Sequence, residues 1–223
     1  MRYVKSLLVF LVLFASFNVL AATGGQVTMM DEGERVQLEF LGKDLLRIND
    51  NSGQGYMIMR DAKLYTVMQE AGQTMVFDLS AMAAITGGNM EESSVWGDEV
   101  REVLEISNTG SEETVAGIVG EVFTMRYVDS RGTTQSSTMV LTKNETVVAM
   151  SQSMHEMTKL LIQASNTKVD KSITEMEQHI LGKGYGVLKL DDGFELVSIS
   201  SEAPAASRFE LPAKPMQIPG MGR

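Results

Sequence analysis

The chain has 223 residues, 19 basic against 29 acidic, a net charge of −10 and no cysteine. An acid excess of this size argues against nucleic acid and against anionic lipid headgroups, since both need a basic footprint. Without cysteine there is no disulfide framework, so burial alone must hold the fold.

The first residues read Met1-Arg2-Tyr3-Val4-Lys5, then a run of 14 residues from Leu7 to Leu20, then Ala21-Ala22. A short basic start, an apolar middle and small residues at the cut predict a secretory signal over 1–21, cleaved after Ala21. The run contains Ser16 and Asn18 and falls short of the ~20 apolar residues that span a bilayer, so cleavage is expected rather than a membrane anchor. No Cys follows the run, which excludes lipid attachment of the bacterial lipoprotein type. The expected location is the periplasm, with secretion as the alternative. Loss of Arg2 and Lys5 leaves 17 basic against 29 acidic residues, a net charge of −12. The remainder is long enough for one domain, expected over 22–212, with 213–223 as a loose tail.

After Gly24-Gly25, the stretch Glu34 to Leu41 alternates, with Val36, Leu38 and Phe40 on one face. Gly42-Lys43-Asp44 reads as a turn, Leu45 to Ile48 as the start of a second strand, and Asn49 to Gly53 as a loop. Gly55 to Leu79 is a meander. With Asp61-Ala62 as a two-residue hairpin loop, Arg60 faces Lys63 and Met59 faces Leu64. One face then carries Met57, Met59, Leu64, Thr66 and Met68; the other carries Tyr56, Ile58, Tyr65 and Val67. Both are largely apolar, which predicts a hairpin interior to a sheet covered on both sides. Register into the third strand depends on whether Glu70-Ala71-Gly72 makes a two- or a three-residue loop, and both stay open.

Ser80 to Asp98 breaks the rhythm and is read as a surface loop or a flap over the sheet. Strands resume at Val100 to Ile106, Val119 to Val128 and Thr134 to Leu141. Two helices follow. Met150, Met154, Met157, Leu161 and Ala164 recur at helical spacing, with Ser153-x-x-Glu156 to cap or frame the start. Ile173, Met176, Ile180 and Leu181 form a second stripe, with Ser172-x-x-Glu175 as capping box and Gly182 as stop. The chain returns through Gly186 to Leu190, turns at Asp191-Asp192-Gly193 and pairs back as Phe194 to Ser200. All four prolines fall after residue 203, which predicts an extended or loose end. Antiparallel strands with both helices late in the chain argue for an α+β fold. The simplest arrangement is a single curved antiparallel sheet whose concave face is covered by the two helices.

Several stretches resemble a family of exported bacterial proteins, domain-of-unknown-function family 4412: Tyr56-Met57-Ile58-Met59, Lys63 to Met68, Glu113 to Gly117 leading into Val122-Phe123, the Met-rich helix from Met150, and Phe209-Glu210-Leu211-Pro212. Ile118-Val119-Gly120 stand where that family often has an aromatic and a Cys. The family is similar in turn to the periplasmic lipoprotein-carrier fold. The resemblance implies an open antiparallel half-barrel stopped by helices and brings no catalytic residues with it.

Methionine is the compositional oddity, 16 residues after the signal. Its three flexible torsions and polarizable sulfur let it fill irregular space and adapt to varied apolar partners. One reading is a cavity lined by Met57, Met59, Met68, Met125, Met154 and Met157 that accepts a lipid or an acylated or hydrophobic ligand. The other is ordinary core. Thioethers also suit Cu(I), but Met57-x-Met59 has no Cys and no nearby His, so no metal and no cofactor is expected. His155 and His179 belong to no ligand or general-base pattern and are expected on the surface or in caps. The acidic pairs lie in loops, no nucleophile elbow or phosphate loop appears, and Gly182 to Gly186 runs from helix into strand, the wrong direction for a phosphate cradle. No enzyme is expected. The alternative to a ligand carrier is an envelope interaction or stress-related scaffold, with a protein partner held by 80–98 and the Pro-rich tail.

Overall fold

A computed structural model describes residues 23–49, 55–79, 81, 100–165, 171–191 and 193–216. The expected signal, the loop after Asn49 and nearly all of the 80–98 segment lie outside these residues. The strands are β1 (Gly24–Asp31), β2 (Glu34–Leu41), β3 (Leu45–Asn49), β4 (Gly55–Arg60), β5 (Lys63–Glu70), β6 (Gln73–Asp78), β7 (Val100–Val115), β8 (Ile118–Asp129), β9 (Thr134–Thr142), β10 (Gly186–Leu190) and β11 (Glu195–Ser200). The helices are α1 (Glu145–Ser165) and α2 (Lys171–His179). All eleven strands form one antiparallel sheet in the order β6-β5-β4-β3-β2-β1-β11-β10-β9-β8-β7. The chain thus builds one arm as a meander and a second as β7–β9. Through β10 and β11 it then returns to close the gap against β1.

β1 is a strand in the Gly-rich start, to which the sequence pattern assigns no element. Gly24 and Gly25 are there because a Cβ would meet Phe40 O at 2.9 Å and Ser200 O at 2.5 Å. The alternation of Val27 and Met29, both buried, was the signal beneath them.

The β4–β5 hairpin turns at Asp61-Ala62 with φ of 52° and 54°, and its pairs Arg60↔Lys63 and Met59↔Leu64 are those the sequence predicts. The next loop is the two-residue one, Ala71-Gly72, so Met75 pairs with Met68 and Phe77 with Thr66 on the methionine face. Its positive φ at both residues gives the twist that matches right-handed strands.

β7 runs to Val115, well past Ile106. Asn108-Thr109-Gly110-Ser111, beyond the expected strand end, forms an irregularity inside the strand, where the register shifts between Asn108 and Glu112. The Gly110 N–H donates to Asn108 Oδ1 at 2.7 Å, and Thr109 Oγ1 donates to the Val122 carbonyl. Turn chemistry is here used to bulge an edge strand. β7 also comes back into contact with β11. Three strands lie between them, and a flat sheet would hold them about 19 Å apart at 4.8 Å per strand. The sheet is therefore curved.

α1 starts at Glu145, earlier than the Ser153 frame: Asn144 Oδ1 accepts from the N–H groups of Thr146 and Val147, at 3.1 and 3.3 Å. Ser153 lies inside the helix and is fully buried. α2 starts at Lys171, one residue before the Ser172 expected to cap it. The Glu175 carboxylate accepts from the Val103 N–H at 3.2 Å and pairs with Lys171 at 2.9 Å, docking the helix on β7. The stop falls at Gly184, left-handed at φ 76°, after a 3₁₀ turn (Leu181–Lys183) that contains Gly182.

Over β3 to β6 the second sheet face is covered by the C-terminal segment. Ile58, Tyr65, Val67 and Val76 pack with Tyr56 and Leu211. Phe209, 1% exposed, sits in a 3₁₀ turn (Ala206–Phe209) that contacts β3 and β4. Arg208 grips Glu39 with two N–H groups, one at 2.8 Å, while Arg60 and Arg47 donate to the carbonyls of Phe209 and Arg208. The Met216 N–H reaches the Val76 carbonyl on the edge strand at 2.8 Å. Through Met216, then, the tail is tied down.

Candidate functional site: the methionine-rich layer beneath α1

α1 has 21 residues, about 31 Å of helix at 1.5 Å each. It touches β10, β1, β3 and β5, a span of about 29 Å across the sheet, so it lies across the strands. From below, Val27, Met29, Leu38, Phe40, Leu46, Met59 and Leu64 rise into this layer; from above come Val147, Met150, Met154 and Met157. Met176 and Ile180, on and just after α2, join the same core.

Of the six methionines proposed from sequence, Met59, Met125, Met154 and Met157 are buried in this core and Met57 packs against it half-buried. Met68 shares their sheet face but stands at its open end, 46% exposed and outside the cluster. Five of the six are therefore brought together. Met150 and Met139, both fully or almost fully buried, belong to the same layer.

α1 is held on the sheet by close backbone approach and by one polar tie. A Cβ on Gly186 would lie 2.7 Å from backbone atoms of Val147 and Val148, so only glycine lets β10 pass this near. Where the β9–β10 register shifts, the Val187 N–H donates to Ser151 Oγ at 3.0 Å. Other polar groups on α1 fare worse. Ser153 Oγ is buried with no hydrogen-bond partner, and so are both ring nitrogens of His155, which is 5% exposed. His155 Nε2 lies 3.3 Å from Glu177 Oε2 on α2, close enough for an ion-pair contact but misaligned for a hydrogen bond. His155 is thus a buried inter-helix residue, not the surface residue its sequence setting suggested. The reason is that α1 carries cover on more than one side. His179, by contrast, is exposed in the last turn of α2.

Beside His155 a small void of about 20 Å³ lies between α1 and the β10–β11 turn, lined by Met150, Ser151, Met154, Val187, Leu190 and Phe194 as well as the imidazole. Sequence reasoning picked out the methionines but not this polar corner. The signal was the i, i+4 pair Ser151 and His155 flanking the apolar stripe. Among the described residues no group of three or more His, Asp or Glu side chains could hold a metal ion, and no helix is long and apolar enough to cross a membrane.

No protein-family model, curated protein or solved structure matches this chain.

Proposed function

We propose that the chain is an exported, non-enzymatic periplasmic binding protein that takes a lipid or another acylated or hydrophobic ligand between α1 and the sheet. On this reading the curved sheet is a half-barrel of the lipoprotein-carrier kind, and α1 is its movable stopper. The observation that carries the proposal is the gathering of Met59, Met125, Met154 and Met157 in one core cluster, with Met57 packed against it, between the sheet and the helices. Unbranched thioether side chains repack around a guest at little cost.

A void of about 20 Å³ holds a water molecule, whereas sites for drug-sized ligands measure about 300–1,000 Å³. Binding therefore requires α1 to move outward. The buried, unpartnered Ser153 and His155 favour that motion, because each such group costs about 1–3 kcal/mol in the closed state. A scaffold that binds a protein partner through its tail is less favoured, since Phe209 and Leu211 are already spent on the molecule's own sheet.

The protein purified from an envelope fraction is extracted with solvent and the extract read by mass spectrometry, and the emptied protein is titrated with fatty acids, lysolipids and acylated peptides in a thermal-shift assay. The proposal expects a co-purifying lipid, or stabilisation of several degrees by at least one class. No lipid and no shift with any class would overturn it.

A further inference from the structure

We propose that the corner formed by Ser151 and His155 receives the head of the bound amphiphile, and that this head is uncharged and hydrogen-bonding, as in a monoacylglycerol, rather than a carboxylate. The inference rests on the apolar-guest reading above and names the class of guest.

The void beside His155 is too small for a chain but has the size of one or two polar atoms. Its apolar walls, Met150, Met154, Leu190 and Phe194, continue into the methionine layer, so a chain lying in that layer has its end here. The two polar side chains in the wall have unused hydrogen-bonding capacity. Ser151 Oγ accepts from the Val187 N–H and keeps its own O–H to donate. The imidazole is nine-tenths buried with Nδ1 unpartnered, and it carries at least one N–H in either protonation state. A hydroxyl head uses such groups both ways.

A carboxylate head meets a different field. No Lys or Arg lines the void, and the charged group nearest the imidazole is Glu177, 3.3 Å from Nε2. An anionic head would sit against an imidazole that already contacts that carboxylate, and in a site screened from water like charges repel more strongly than at the surface. The whole chain, at −10, adds to the bias.

The test compares 1-monolauroylglycerol with laurate, equal in chain length and below their micelle concentrations, by calorimetric titration of the emptied full chain. The wild type is expected to bind the monoacylglycerol about tenfold tighter. His155→Phe, which removes both nitrogens, brings the two ligands within about twofold of one another. His155→Gln, which keeps a donor and an acceptor, retains the preference. Equal affinities in the wild type, a preference for laurate, or a preference that survives in His155→Phe would each overturn the inference. Should His155→Phe not fold, the wild-type ratio and the Gln variant decide. If neither ligand binds, the head-group assignment is overturned, and the solvent extract with the lysolipid and acylated-peptide titrations decides the apolar-guest reading; if both bind alike, that reading stands and only the head-group assignment is lost.

Discussion

Asp129 shows how one side chain closes a turn. It is 7% exposed, and its carboxylate accepts from the N–H groups of Thr133 at 2.7 Å and Arg131 at 3.0 Å and from Gln135 Nε2 at 3.2 Å. These bonds, the Thr133 N–H foremost, hold its pKa below the ordinary aspartate value against the opposing effect of burial. A carboxyl group whose pKa is depressed on folding stabilises the fold above its unfolded value near pH 4, and that contribution disappears as pH falls through the folded value. Asp129→Asn is therefore expected to lower the melting temperature at pH 7, with the gap to wild type closing as pH falls below about 4. Melting curves across that range check it, and a gap independent of pH would contradict it. At this scale the sequence speaks unevenly. Met59 and Leu64 reveal their shared face through strand alternation. His155 does not reveal its burial, because nothing within α1 announces that α2 and the β10–β11 turn close over it.

Among the elements, the contact between β10 and α1 is the one on which the layer depends. Gly186→Ala would drive a Cβ to 2.7 Å from the α1 backbone, where no side-chain rotamer can give way. The expected cost is about 1–3 kcal/mol in denaturant unfolding, typical of overpacking. Gly182→Ala is the control: its Cβ would meet only the Glu177 carbonyl at 3.5 Å, and a change within about 0.5 kcal/mol is expected. Equal effects at the two positions would mean that α1 is not tightly seated on β10. Most strands and both helices are readable from periodicity and turn residues. What is not readable is where turn residues serve another purpose. Gly24 and Gly25 permit close packing inside β1, and Asn108 to Ser111 bulge β7 without ending it. The start of α1 is missed for a related reason, since Ser153 has the spacing of a cap but lies buried inside the helix while Asn144 caps it.

For the whole molecule, two covers exclude water from both faces of the sheet over β4 and β5, while the second face stays exposed at Gln26, Ser198 and Ser200. α1 and α2 close the face that carries the methionines, and the C-terminal segment closes the face of Ile58, Val67 and Val76. The apolar character of both faces of β4 and β5 already calls for two covers. That the second comes from a Pro-containing tail is hidden, because Phe209 and Leu211 are isolated apolar residues without periodicity. The asymmetry between the covers matters for function. The tail is fixed by the Glu39–Arg208 pair and by carbonyl contacts from Arg47 and Arg60, whereas α1 carries buried polar groups without hydrogen-bond partners. On the proposed reading, the helix is the cover that lifts to admit the ligand.

A photoactivatable fatty acyl probe, with its diazirine in mid-chain, tests this most directly. After irradiation of the loaded protein, proteolysis and mass spectrometry are expected to place the label on peptides containing Met57 and Met59, Met125, or Met154 and Met157. Label confined to the tail-covered face around Tyr56, Val76 and Leu211, or absent altogether, would contradict the account.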